Sequence, residues 1–191
     1  MTIQWLREKG GYKPRVEVLP TAALDAATRE AIIGVCNRAW GNDPEHDFAP
    51  LFDLVTDSLH VLAYENDVLV SHACFASRWL EVEGLPLLRT AYVDAVATEP
   101  ALQGRGLGAA VMRRFAVEGA GYDLNALASE RAVGFYERLG WERWKGPTAV
   151  RKPEGLEPTP EDTVLTLRTP STPALDLTAR LIADERAEHP W

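Results

Sequence analysis

The chain has 191 residues, 46% of them hydrophobic, and a formal net charge of −8 at pH 7. This length suffices for one well-buried core, and the acidity argues against nucleic acid as a partner and favours a cationic small molecule. No apolar run approaches membrane-spanning length, and the first residues lack the basic start and apolar core of a signal peptide. We therefore expect a cytoplasmic protein that does not bind membranes.

Hydrophobic periodicity and turn residues predict a mixed α and β chain. The predicted strands are 15–19, a hairpin of 60–64 with 68–80, then 87–98, 122–127, 141–144 and, as the last strand, 164–168. The predicted helices are 21–40, begun by Thr21 or Asp25, then 105–118, a helix around Tyr136 and a short helix at 175–184. A polar acidic loop is expected at 41–47 and a proline-rich loop at 147–160.

Neither a disulfide nor a metal site is predicted. Cys36 and Cys74 lie in apolar segments, where buried free thiols are the expected state. The four histidines, at positions 46, 60, 72 and 189, show no metal-ligand spacing.

A glycine-rich segment follows the predicted strand 87–98 and precedes the predicted helix 105–118. Its sequence is Gln103-Gly-Arg-Gly-Leu-Gly108. Glycines can adopt a positive φ, so successive main-chain N–H groups converge at the start of the helix and can hold a pyrophosphate. On the strand, a period of two places Asp94, Val96 and Thr98 on one face and leaves the main chain of 96–98 available to a ligand.

Several interpretations of this loop compete. It lacks the Gly-Lys-Ser/Thr ending of a P-loop, so that interpretation is dropped. Gly104, Gly106 and Ala109 fit a dinucleotide-binding pattern, but no hydrophobic strand precedes Asp123, the candidate ribose ligand. The glycines could also serve only the turn into the helix. The spacing Gln-x-x-Gly-x-Gly, in contrast, resembles the acetyl-coenzyme A loop of the GNAT N-acetyltransferase superfamily.

A second segment supports the GNAT interpretation. Ser129 can cap a helix that ends at Gly140, and the apolar side chains between them share one helical face. The run Ala132 to Trp141 resembles the second GNAT motif, whose tyrosine faces the coenzyme sulfur. The two motifs have the order and spacing of that superfamily, which implies an α/β (α+β) fold with a mixed, mostly antiparallel central sheet flanked by helices.

Three further segments resemble the aminoglycoside 2'-N-acetyltransferases within GNAT, namely 89–97, 140–150 and 159–164, together with the final Trp191. The similarity begins at Arg15, which predicts an N-terminal extension at 1–14 and a single GNAT domain at 15–191. The resemblance implies acetyl-CoA as donor, an amino sugar as acceptor, direct transfer without an acyl-enzyme, and a homodimer. It implies no metal.

The resemblance also assigns residue roles. Asp94 matches an acid, commonly glutamate, that accepts the amine proton, although it could instead pair with Arg89 or Arg78. Tyr136 matches the general acid that protonates the departing thiolate, although it could be a core tyrosine. The expected donor-binding residues are Val96, Ala97, Thr98, Gln103, Gly104, Arg105, Gly106, Leu107 and Gly108. The expected acceptor-binding residues are Asp43, Asp47, Asp94, Ala95, Asp162, His189 and Trp191, and Glu45 is an alternative to Asp47.

The sequence departs from the family pattern at His189, where the family has an acid. Loss of that charge favours a less basic acceptor that carries its own carboxylate, such as kasugamycin, as an alternative to deoxystreptamine drugs. A polyamine or a protein N-terminus could also use this donor site, and the acidic loop could be merely a solvated turn. A non-catalytic acetyl-CoA sensor is least favoured, because it would need neither Asp94 nor Tyr136.

Overall fold

The computed structural model describes residues 14–43, 47–54, 56–186 and 191. Its strands are β1 Arg15–Pro20, β2 Leu59–Glu65, β3 Val68–Val82, β4 Leu88–Thr98, β5 Leu124–Ala128, β6 Glu142–Arg143, β7 Thr148–Lys152, β8 Gly155–Pro158, β9 Val164–Arg168 and β10 Leu181–Asp184. Its α-helices are α1 Ala26–Ala39, α2 Leu51–Leu54, α3 Leu107–Glu118 and α4 Val133–Glu137. None of the helices in these ranges is long and apolar enough to cross a bilayer.

One curved sheet organises the described chain. Its strand order is β6-β9-β5-β4-β3-β10-β7-β8, and β2 with β1 branches from β3. The long strand β3 pairs along one edge with β2 and then with β10, and along its other edge with β4. Among the strand pairs formed by the described residues, only β4–β5 and β10–β7 are parallel. The predicted fold class, mixed and mostly antiparallel, is confirmed.

Helix α1 begins at Ala26, later than the predicted start at Thr21. The side chain of Asp25 accepts a hydrogen bond from the Thr28 N–H at 2.8 Å and so satisfies one of the free donors of the first turn. Thr21 instead lies in a short 3-10 turn that is hydrogen-bonded to Ser58. Of the two predicted starts, Asp25 is therefore correct.

Apolar side chains cover both faces of the sheet. Helix α3 packs Met112 and Phe115 against one face, where Phe75 of β3 makes an edge-to-face ring contact with Phe115. Helix α1 packs against the other face through a separate cluster that contains both cysteines. Cys36 and Cys74 are free and buried, as predicted.

Two predicted elements in the last third are wrong. The segment 147–160 is a hairpin of β7 and β8, with Pro153 in its turn and Pro158 at the end of an edge strand, where a missing N–H is tolerated. The segment 175–184 is not a helix, because 181–184 form β10 between β3 and β7. Consequently 164–168 is not the last strand. The proposed extension 1–14 lies, except for Pro14, outside the described residues.

Candidate active site

Strands β4 and β5 separate after a short parallel stretch. Their last pair is Tyr92 with Ala126, so no described strand pairs with Val93–Thr98 on the β5 side. We call the gap between 93–98 and the end of β5 the fork. Its open edge leaves main-chain N–H and C=O groups of β4 available to a ligand.

A bulge interrupts β4 inside the fork. Against β3, Asp94 pairs with Cys74 but Ala97 pairs with His72, so β4 carries one extra residue between these pairs. Ala95 lies in this stretch with a φ of 48°, which is uncommon for a residue other than glycine. The prediction that 94, 96 and 98 share one face is wrong for Asp94. Val93 and Val96 both pack with the α3-side cluster although they are three residues apart, which strict alternation would not allow, and Ala95 packs with the α1-side cluster.

The glycine-rich loop forms the turn into α3. Gly104 and Gly106 have φ values of 77° and 85°, and an added Cβ at either position would meet no atom within 4 Å. Gly106 is the N-cap of α3. The loop is therefore open beside these two glycines. Its main chain also has the positive-φ conformation that is suited to anion binding.

Neighbouring side chains of this loop are held in place. The Gln103 side chain donates to the Thr98 carbonyl at 3.3 Å, and Arg105 makes two hydrogen bonds with Glu65, at 3.1 and 2.7 Å. Leu107 is buried in the first turn of α3. The predicted donor-binding residues of the loop thus flank the end of β4, next to the fork.

Gly108 brings the two sequence motifs together. An added Cβ would lie 3.1 Å from Thr98 Oγ1 and 3.5 Å from the Phe135 ring. The position requires a small residue because α3, β4 and α4 approach one another here. Ser129 accepts a hydrogen bond from the Ala132 N–H at 3.2 Å immediately before α4.

Tyr136 is buried beside the fork. It is 5% exposed and shares a cluster with Val93 and Leu127, the first residues of β4 and β5 after their last pair. Its ring meets Trp141 edge to face at 5.9 Å. Burial raises the pKa of the Tyr136 hydroxyl above its ordinary value of about 10, so the hydroxyl remains protonated and able to donate.

Asp94 is paired with an arginine from the end of the chain. Arg186 donates to both of its carboxylate oxygens, at 3.0 and 2.7 Å, and the two side chains are 31% and 20% exposed. The Arg186 and Arg78 guanidinium groups lie over the Tyr92 ring, at 5.1 and 4.6 Å. Burial, with the Asp94 charge, raises the pKa of Tyr92. An arginine partner for Asp94 was predicted as the alternative to a base role. The Asp94 charge acts on Arg78, one of the two arginines named, but the arginine that donates to both carboxylate oxygens is Arg186, which was not named.

The acidic loop after α1 borders a cavity of about 280 Å³. Its lining residues are Asn37, Asn42, Asp43 and Asp47. One oxygen of Asp47 accepts hydrogen bonds from the Ala49 N–H at 2.9 Å and from the Asn37 amide at 3.3 Å. Asp47 therefore also stabilises its own turn. Glu45 lies outside the described residues.

Asp162 lies in the segment between β8 and β9, to which Trp191 is hydrogen-bonded. Asp162 closes a turn by donating its N–H to the Thr159 carbonyl at 3.2 Å, and its charge acts on Tyr92. The Trp191 indole N–H donates to Thr159 Oγ1 at 2.8 Å, and the ring is buried with Tyr92 in one cluster. This hydrogen bond ties the last residue to the 159–162 turn. His189 lies outside the described residues.

Comparison with known proteins identifies the family. Residues 56–143, which include the glycine-rich loop and Tyr136, match the acetyltransferase (GNAT) domain. Over 191 residues the chain is 34% identical to the aminoglycoside 2'-N-acetyltransferase of Mycolicibacterium fortuitum, with 96% of this chain and 95% of that protein covered. The chain belongs to the GNAT family of N-acetyltransferases.

Solved structures agree with the fold of this GNAT N-acetyltransferase. Escherichia coli ElaA superimposes with a TM-score of 0.59 at 17% identity, covering 81% of this chain and 99% of that chain. An acyl-CoA N-acyltransferase from Pseudomonas aeruginosa gives 0.56 at 17% identity, with the same coverage of both chains. At such low identity these similarities establish the fold alone.

Two features of this acetyltransferase site were missed by the sequence interpretation. Arg186 reaches Asp94 from the residues directly after β10, a strand that lies within the predicted helix 175–184. His72 donates toward the Ala95 carbonyl in the bulge, at 3.0 Å. An isolated arginine and an isolated histidine in an apolar strand gave no local signal, because both contacts depend on strand pairing between distant segments.

Proposed function

We propose that this N-acetyltransferase transfers the acetyl group of acetyl-CoA to an aminoglycoside, at the 2' amino group, and so inactivates the drug. The full-length similarity to an aminoglycoside 2'-N-acetyltransferase carries this proposal, because it extends beyond the donor loop into the segments assigned to the acceptor. The resemblance also predicts a homodimer, which light scattering of the purified protein would test.

The donor site consists of the glycine-rich loop and the fork. The main-chain N–H groups between Gly104 and Gly108 would hold the pyrophosphate, and the open edge of Val93–Thr98 would pair with the pantetheine arm. Acetyl-CoA supplies an activated thioester, and the free space beside Gly104 and Gly106 is compatible with its phosphates. This geometry supports binding of the donor.

Asp94 would act on the acceptor amine. An ammonium has no lone pair, so a base must remove its proton before the nitrogen attacks the thioester carbonyl. In the structure Arg186 holds the carboxylate of Asp94, so the acceptor ammonium competes with this guanidinium for the same oxygens. Proton removal, directly or through water, then follows once the amine lies beside Asp94.

Tyr136 would act on the leaving thiolate. Its hydroxyl stays protonated because burial raises its pKa, which widens the gap to the pKa of a thiol, about 8.5. Complete proton transfer to the thiolate is therefore less favourable than from an exposed tyrosine. We infer that Tyr136 stabilises the developing negative charge chiefly by donating a hydrogen bond.

The acceptor side is acidic. Asp43 and Asp47 border the cavity after α1, and Asp162 lies on the 159–162 turn that Trp191 binds. An acceptor that contacts these carboxylates would carry several ammonium groups. A polyamine would satisfy the same charges, but it would leave the extended acceptor-side similarity unexplained.

A kasugamycin-type acceptor is the second candidate, and Arg186 favours it. A guanidinium group next to Asp94 could bind the carboxylate of such an acceptor with two parallel hydrogen bonds. The histidine at position 189, which lies outside the described residues, is also compatible with a carboxylate.

A thiol-release assay with acetyl-CoA tests the proposal against kanamycin-type and gentamicin-type drugs, kasugamycin, spermidine and a peptide N-terminus. We expect release with at least one aminoglycoside, and NMR of the product should place the acetyl group on the 2' nitrogen. The Asp94→Asn variant should bind coenzyme A normally and release little thiol. Turnover only with spermidine or the peptide would refute the aminoglycoside assignment.

A further inference from the structure

A chain of buried polar groups runs through the sheet behind the fork. His60 and His72 are both fully buried, and their rings stack with centroids 5.2 Å apart. His60 Nδ1 lies 3.0 Å from His72 Nε2, and His72 Nδ1 lies 3.0 Å from the Ala95 carbonyl oxygen. At the other end, Thr21 Oγ1 lies 3.0 Å from His60 Nε2. We call these groups the histidine relay.

Chemistry fixes the direction of each hydrogen bond in the relay. The Ala95 carbonyl only accepts, so His72 carries its proton on Nδ1 and its Nε2 is an acceptor. His60 must then donate through Nδ1, which leaves its Nε2 as an acceptor. The Thr21 hydroxyl has one proton, which it shares between His60 Nε2 and the Ser58 carbonyl at 3.1 Å. Burial lowers the pKa of His60 to about 4 and that of His72 to about 3, so both rings are neutral near pH 7.

The relay ends on the peptide that follows Ala95. A trans peptide is planar, and its C=O and N–H point in opposite directions. Because the Ala95 carbonyl points at His72, the N–H of Val96 points away from His72. Ala95 has a φ of 48°, a strained conformation that persists only where its surroundings hold it.

We propose that His72, supported by His60, is a positioning residue that orients the 95–96 peptide so that the Val96 N–H donates to the thioester carbonyl oxygen of the donor. The inference rests on the proposed acetyl-CoA site. A fixed N–H aimed at the oxygen on which negative charge develops stabilises the transition state more than the ground state. His72 acts through the peptide and contacts no substrate.

A metal site at the same residues is the competing interpretation. His60, His72 and Cys74 present ligand atoms within 4.8 Å of one another. However, all four ring nitrogens are already within hydrogen-bond distance of a partner, and the Cys74 thiol lies 3.5 Å from the Asp94 carbonyl. A metal would have to replace several of these bonds, so the structure favours the relay.

The test compares His72→Leu, which removes the donor, with His72→Asn, whose amide N–H can approximate Nδ1. We expect His72→Leu to lower kcat roughly 100-fold while the Kd for coenzyme A, which has no acetyl group, stays within about twofold. His72→Asn should recover most of this loss. Leu62→Ala is the control, because Leu62 is a buried residue opposite His72 in the β2–β3 pair and makes no polar contact with the bulge.

Several results would overturn the inference. They are an unchanged kcat in folded His72→Leu, parallel losses of kcat and coenzyme A binding as in a general packing defect, and one bound metal ion per chain by elemental analysis. If His72→Leu does not fold, Thr21→Val weakens the far end of the relay and should lower kcat a few-fold. If the wild type binds no coenzyme A, the proposed donor site is wrong. In that case a crystal structure of a His72 variant still tests whether His72 orients the 95–96 peptide.

Discussion

The guanidinium group of Arg186 binds both carboxylate oxygens of Asp94, at 3.0 and 2.7 Å, across a separation of 92 residues in sequence. The pair joins the segment after β10 to the fork, where the acceptor amine would have to lose its proton. A bidentate arginine pair of this kind is among the stronger side-chain interactions, and it occupies the oxygens that the acceptor amine would need if Asp94 has the proposed role. Under that proposal, acceptor binding requires Arg186 to release Asp94.

The first prediction is that Arg186→Met changes acceptor preference. Without the competing guanidinium, the KM for a kanamycin-type drug should fall about two- to fivefold, the range that a partly exposed ion pair of up to about 1 kcal/mol allows. The KM for kasugamycin should rise, because its carboxylate loses a partner. Steady-state kinetics with both drugs measure this. Arg168→Met, which removes the exposed ion pair with Glu142, should alter neither value.

The second prediction concerns Tyr136→Phe. The variant keeps the ring contact with Trp141 but removes the hydroxyl, so kcat should fall roughly 100-fold or more while coenzyme A binding is unchanged. Tyr122→Phe, which keeps the ring under Arg89, is the matched control and should retain its activity. If Tyr136→Phe stays within a few-fold of wild type, water protonates the thiolate and Tyr136 is only a packing residue.

The elements next to the two motifs were predictable because their signals are local. The β2–β3 hairpin and helix α3 follow from periodicity and turn residues in single short windows, and the structure has them within a few residues of the predicted bounds. Asp25 was one of two predicted N-caps, and the choice between them depended on a hydrogen bond between Thr21 and Ser58, far away in sequence.

The remaining elements depended on distant partners. The run 175–184 has apolar residues compatible with a helix. In the structure, however, β3 continues past the end of β2, and its residues Leu80–Val82 pair along that edge with 181–183. The bulge at Ala95 was equally invisible, because strict alternation is the default for a strand and an inserted residue changes no local pattern. Sequence could therefore propose Asp94 as a site residue, but not the face on which it lies or its partner Arg186.

The third prediction concerns the glycine at the start of α3. In Gly108→Val even the Cβ would lie 3.1 Å from Thr98 Oγ1 and 3.5 Å from Phe135, so the start of α3 or these two side chains must shift to admit the branched side chain. We expect affinity for acetyl-CoA to fall at least tenfold, because the N–H groups at the helix start are then misplaced. Gly121→Ala is the control, since a Cβ there meets no atom within 4 Å. Unchanged affinity by calorimetry in a folded Gly108→Val variant would contradict the assigned role.

The last prediction is that the histidine relay makes the protein sensitive to mild acid. Burial lowers the pKa of His60 to about 4, aided by the charge of Arg29, and that of His72 to about 3, whereas both are near 6.5 in the unfolded chain. Below pH 6.5 the unfolded state therefore binds protons that the folded state excludes, and stability falls as the pH falls toward 4. Below pH 6.5 each histidine contributes roughly 1.4 kcal/mol per pH unit, so the free energy of unfolding should drop by about 4 kcal/mol between pH 7.5 and pH 5.

Urea unfolding across this range measures how the free energy of unfolding depends on pH. A His60→Asn, His72→Asn double variant should lose most of this dependence. A wild-type stability that stays flat from pH 7.5 to pH 5 would mean that the two rings are not held neutral in the folded protein.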